Sequence, residues 1–121
     1  MNQFTFVEIP TTDLKKAQRF YASIFGWRFR PLPGSDERLA LETGNSLNGF
    51  LRRVARIPRT PGVLLFVEVP DIDSLLKKVR RARGKVLEPK REMPERGWTA
   101  VIASFDGCVF GLWQPHWFQA A

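Results

Sequence analysis

Residues 6–10 read FVEIP and residues 66–70 read FVEVP, and an aspartate stands three positions beyond each proline, at Asp13 and Asp73. Six positions correspond at a constant spacing, Pro10 and Pro70 lying 60 residues apart in a chain of 121. Self-similarity of this kind constrains the fold more than any single motif, because one supersecondary unit has to be built twice. In each copy β-branched, aliphatic and aromatic residues (Phe4, Phe6, Val7 and Ile9; then Val63, Leu64, Leu65, Phe66, Val67 and Val69) predict a strand. Pro10 or Pro70 closes that strand by withdrawing a ladder donor.

A helix follows each proline. Thr12 or Asp13 is placed to cap the first and Asp71 or Asp73 the second, by accepting from backbone N–H groups that the first turn leaves unpaired. Leu14, Ala17, Tyr21, Ile24 and Phe25 recur at helical spacing, as do Ile72, Leu75, Leu76, Val79 and Ala82, so each helix buries one face. Gly26 and Gly84 stand where a left-handed cap needs a residue without Cβ. Short extended runs come next: Trp27–Arg30, Arg38–Glu42 and Leu47–Arg52 in the first copy, Lys85–Leu87, Trp98–Ser104 and Cys108–Trp113 in the second. The predicted fold is therefore α+β: two tandem βαβββ modules forming a curved mixed sheet with a concave cleft, helices on the outer face. Repeat one covers residues 1–53, a Pro- and Arg-rich linker 54–62, repeat two 63–115 and a tail 116–121, all within a single domain of residues 1–121.

Composition narrows the function classes. With 19 Lys+Arg against 12 Asp+Glu the chain carries a formal charge of +7, which favours anionic partners and would repel a cationic ligand at long range. Lys77, Lys78, Arg80, Arg81, Arg83 and Lys85 supply much of that charge from the side of the second helix opposite its apolar residues, where a solvated face is expected. A basic, aromatic-rich sheet protein raises an RNA-binding module as one reading, yet no aromatic ribonucleoprotein consensus is present and nucleic acid is disfavoured. The lone Cys108 forbids an intrachain disulfide, and no apolar run reaches the length of a membrane span. A cytoplasmic location without membrane association is the expectation.

The start FVEIPTTDLKKAQRFYASIFGW and the end FDGCVFGLWQP, joined by a duplicated βαβββ unit, resemble the vicinal oxygen chelate superfamily of glyoxalase I, extradiol dioxygenases and bleomycin-resistance proteins. The resemblance covers nearly the whole chain. It implies a homodimer, and in the family's enzymes it implies a divalent metal held by His or Glu from the first and last strands of each module. Those positions fall here on Phe6, Phe66 and Gly111, with Gly49 suggested by a looser alignment, and none has a donor side chain. The single histidine, His116, lies in the tail beyond the last strand. A divalent ion needs oxygen, nitrogen or sulfur donors, so neither a metal nor another cofactor is expected.

What remains in the cleft is a pair of carboxylates and an apolar lining. Alternation places Glu8 on the face of Phe6 and Glu68 on the face of Phe66, where two symmetry-related carboxylates could serve as acid and base or orient a ligand. The plainer alternative is that each pairs with an arginine, for which Arg28, Arg30, Arg52 and Arg53 are available. Phe6, Phe66, Leu51, Arg53 and Trp113 are the expected ligand-contacting residues, with Phe4, Leu47, Leu64 and Val109 around them. The resulting expectation is a metal-free binder of a small anionic or neutral, partly aromatic ligand. A metal-dependent lyase, isomerase or dioxygenase of the same superfamily is the alternative.

Overall fold

A computed structural model describes residues 6–44, 47–57 and 64–117. The chain divides into two compact units, residues 1–57 and 58–121, whose described residues form one helix and four strands each, in the order βαβββ. In the first, β1 (Phe6–Thr11) leads to α1 (Leu14–Phe25), β2 (Arg28–Pro31), β3 (Arg38–Glu42) and β4 (Asn48–Arg53). In the second, β5 (Phe66–Glu68) leads to α2 (Ile72–Arg81), β6 (Lys85–Met93), β7 (Gly97–Ala103) and β8 (Val109–Pro115). The sheets have the same topology, β1-β4-β3-β2 and β5-β8-β7-β6, in which the first strand pairs parallel with the last and the other pairs are antiparallel. The predicted α+β pair of βαβββ modules is thus the observed architecture, drawn as two mixed sheets.

The repeat sets where each helix starts only loosely. Asp13 caps α1, its Oδ1 accepting from the Lys16 N–H at 3.1 Å. The corresponding Asp73 lies inside α2, whose cap is Asp71, accepting from Ser74 N–H at 3.4 Å. The cause is the strand before it: β1 continues through Pro10 to Thr11, whereas β5 ends at Glu68. Pro10 thus lies within a strand instead of closing it, tolerated because β1 is an edge strand. Gly26 ends α1 with φ +72 as expected. At the end of α2 the left-handed residue is Arg83, φ +68, and not Gly84, whose N–H instead reaches back to the Val79 carbonyl at 2.9 Å.

Each module has its own core on the helix side of its sheet. Ala17, Phe20, Tyr21 and Ile24 of α1 are buried, as are Ile9, Leu41 and Leu51 of the sheet beneath. In the second module Ile72, Leu75, Leu76 and Val79 of α2 are buried, as are Ala100, Ile102, Phe110 and Leu112 of its sheet. Each fully buried large side chain contributes about 2 kcal/mol. One polar group crosses this second core: Gln114 Oε1 accepts from the Ile72 N–H at 2.8 Å, so β8 holds the start of α2. The other face of each sheet carries no helix from its own module, and alternation sends the remaining side chains there.

Candidate functional site

On the open face of the first sheet, register sets Glu8 beside Phe50, with Arg52 and Arg38 paired one step along. The glutamate is clamped. Arg38 Nε donates to its Oε2 at 3.0 Å, and an Arg52 guanidinium nitrogen lies 3.6 Å from its Oε1. Phe6 packs edge-on to Phe50, ring centroids 5.6 Å apart, while Arg30 pairs with Glu42 at 2.8 Å and not with Glu8. A carboxylate bracketed by two guanidiniums has its lone pairs engaged and its charge offset.

The open face of the second sheet differs. Phe66 pairs with Gly111 and Glu68 with Trp113, which in turn pairs with Thr99 on β7. The Phe66 ring packs closely over Gly111: a Cβ there would sit 2.5 Å from ring carbons. Beside it Phe66, Met93, Arg96, Thr99 and Trp113 line a cavity of about 270 Å³, mainly apolar in surface and open on one side. The Trp113 Nε1–H donates to the Arg96 carbonyl at 3.1 Å, which fixes the indole as one wall. Glu68 forms no ion pair or hydrogen bond among the described residues and is exposed.

Two of the predicted contact residues lie elsewhere. Leu51 is fully buried on the helix side, paired with Ile9 and Leu39. Arg53 shares its parity and is paired with Glu37 at 2.6 Å. Gly49 also faces away from Phe6: it pairs with Val7, and the residue opposite Phe6 is Asn48. Adding a Cβ to Gly49 would drive it into the Val7 carbonyl, so backbone approach explains that glycine. Phe6, Phe66, Trp113 and Val109 do sit at open-face positions; Phe4 lies outside the described residues, and Leu47 and Leu64 are exposed just ahead of their strands. Arg38, Met93, Thr99 and Arg96 escaped the sequence reading. The signal for Met93 and Arg96 was the MPERG turn, which follows a β6 longer than the Lys85–Leu87 run and carries both to the sheet edge.

The donor set does not suit a divalent metal. The cross-strand pair Phe66 and Gly111 presents a hydrocarbon ring over a backbone, and its counterpart presents Phe6 and Asn48, whose Oδ1 already accepts from the Thr43 N–H at 3.0 Å. Among the described residues no group of three or more His, Cys, Asp or Glu is placed to hold an ion. His116 stands in the turn after β8, exposed, its ring 5.7 Å from that of Trp117.

A duplicated βαβββ unit with an edge strand pairing parallel to the last strand of its own repeat, and an open sheet face opposite its helix, defines the class of paired-module proteins represented by glyoxalase. Comparison with known proteins agrees. A family profile described as bleomycin resistance protein-like N-terminal matches residues 3–44. The protein designated glyoxylase CFP32 of Mycobacterium tuberculosis is 32% identical over 122 residues, an alignment that takes in 92% of this chain and 45% of that one. The chain therefore spans about half the length of this curated relative. A glyoxalase/bleomycin resistance protein/dioxygenase family enzyme from Burkholderia phytofirmans has a TM-score of 0.76 at 21% identity, covering 93% of this chain and 98% of that one. TnmS3, an antibiotic binding protein from Streptomyces, gives 0.69 at 23% identity over 95% and 97% of the two chains. A variant of the fosfomycin resistance protein FosX from Listeria monocytogenes, solved with Mn(II) and a dihydroxypropylphosphonic acid, gives 0.77 at 15% identity over 93% and 90%. The chain thus shares the fold of glyoxalase/bleomycin resistance/dioxygenase proteins and is similar in sequence to glyoxylase-like relatives.

Proposed function

We propose that this chain is a metal-free member of the superfamily that binds a small, anionic or neutral, partly aromatic ligand in the second module. The reading rests on one observation above all. The pair of positions that would supply metal donors instead packs the Phe66 ring over Gly111, at the edge of a cavity walled by Trp113, Thr99, Met93 and Arg96. Such a lining offers a flat hydrophobic surface for an aromatic ring, and Arg96 offers a cation or donor for an acidic or carbonyl edge. A volume of about 270 Å³ suits a ligand of one or two rings. The structurally similar TnmS3 is described as an antibiotic binding protein, which supports binding as the activity.

Elemental analysis of the purified protein, together with titration of the ¹⁵N-labelled chain with indole-3-propanoate, tests the reading. The expected result is less than stoichiometric divalent metal and selective displacement of the Trp113 indole and Thr99 amide signals. A stoichiometric divalent ion that survives dialysis would return the protein to the metal-dependent lyase, isomerase or dioxygenase alternative. We infer further that two copies associate, with Phe6 at 58% exposed and Trp117 at 64% contributing apolar surface, and that the protein works in the cytoplasm. Light scattering at micromolar concentration reads the first; a monomer mass refutes it.

A further inference from the structure

We propose that the two glutamates have separated in role, and that Glu68 alone accepts a hydrogen-bond donor, an ammonium or amide N–H, from the aromatic ligand. This rests on the binding reading above. Equivalent positions in the two modules follow from register: Glu8 pairs with Phe50 as Glu68 pairs with Trp113, and Ala40 pairs with Phe50 as Thr99 pairs with Trp113. One step further along, the pair Arg38 and Arg52 in the first module corresponds to Gly97 and Pro115 in the second. Both cations that clamp Glu8 are therefore missing around Glu68.

The backbone enforces that loss. Gly97 has φ +125, and any Cβ on it would collide with the Gln114 carbonyl, so no arginine fits there. Pro115 closes β8 without a donor of its own. Among the described residues, Arg91, which pairs with Thr99, is engaged with Glu88 at 2.7 Å, and Arg96 lies on the β6–β7 turn at the cavity wall. Glu68 stands on β5 at the opposite side of the Trp113 strand from Thr99 and that turn. Glu68 lies outside the lining of the cavity, next to Trp113 in register, and Arg96 belongs to the lining on the far side, an arrangement that favours a flat amphoteric ligand extending from the cavity past the indole, with its donor toward Glu68 and its acidic edge toward Arg96.

Indole-3-propanoate and L-tryptophan differ only by the α-ammonium group, so their relative affinity isolates the donor contact. In NMR titrations of the native ¹⁵N-labelled chain both probes displace the Trp113 indole signal, with L-tryptophan binding about fivefold more tightly, as for a partly exposed charge-assisted contact. Glu68→Gln brings that ratio to about one while leaving indole-3-propanoate binding in place, and Glu8→Gln keeps the native ratio. An unchanged ratio in Glu68→Gln, or an equal loss in Glu8→Gln, overturns the assignment of Glu68 while the binding reading stands. Failure of both probes to displace the Trp113 or Thr99 signals of the native chain overturns the binding reading and the assignment together.

Discussion

Gly49 and Gly111 each lie on the strand that pairs parallel with the first strand of its module, yet substitution by alanine should have very different consequences. At Gly49 the new Cβ meets backbone: it overlaps the Val7 carbonyl oxygen and comes within 2.8 Å of its carbon. Neither atom can move unless β1 separates from β4, and that pairing is the only one β1 makes in its sheet. Overpacking against an immovable neighbour costs about 3 kcal/mol or more. At Gly111 the clash is with the Phe66 ring at 2.5 Å, and Phe66 is half exposed and free to rotate about its own χ1. The cost there is about 1 kcal/mol, and the cavity wall is displaced. Circular dichroism should show Gly49→Ala melting roughly 12 °C below the native protein and Gly111→Ala roughly 4 °C below. Hydrogen exchange should confine the first loss to residues 6–57. In a double-mutant cycle, Phe66→Ala should relieve Gly111→Ala, giving a coupling of about 0.5 kcal/mol or more. Equal destabilisation by the two glycine variants, or native-like melting of Gly49→Ala, would refute the assignment of one glycine to backbone approach and the other to a ring contact.

Other consequences are simpler to check. Gln114→Leu strands the Ile72 N–H in the second core and should cost about 1–3 kcal/mol in chemical denaturation. Arg83→Gly should stabilise by about 0.5–1 kcal/mol, because φ +68 strains a residue with a Cβ; an unchanged or lower midpoint would count against that strain. Asp13→Ala should cost about 1 kcal/mol and Asp71→Ala less, since the second cap bond is longer at 3.4 Å against 3.1 Å. Arg38→Ala should destabilise by no more than about 1 kcal/mol, less in high salt, since Glu8 and its partners are partly exposed; a salt-independent loss would point to packing and not to the ion pair.

Much of the fold was legible because its determinants are local. The FVEIP and FVEVP repeat, the helical spacing of Ala17, Tyr21 and Ile24, and the aspartates before each helix define the two βαβββ units through periodicity and capping within a few residues of one another. The same local logic put Phe6 with Glu8 and Phe66 with Glu68 on single faces, and counted Trp113 among the residues expected around them. It failed where faces had to be matched between strands. Alternation along β4 says that Leu51 and Arg53 share a face; only the pairing of Leu51 with Ile9 says that this face is the buried one. A register shift of one residue would have exchanged every side chain on that strand.

From the sequence alone came a duplicated α+β chain resembling the vicinal oxygen chelate superfamily, with hydrocarbon or hydrogen where that resemblance expects metal donors and two carboxylates on the strands that open its halves. Tertiary structure decided what those carboxylates are. Arg38 and Arg52 reach Glu8 from strands 30 and 44 positions further along, while Gly97, held against the Gln114 carbonyl, keeps any such arginine away from Glu68. Charge pairing across a sheet depends on register and on backbone spacing between strands, and both are set by the packing of the whole module.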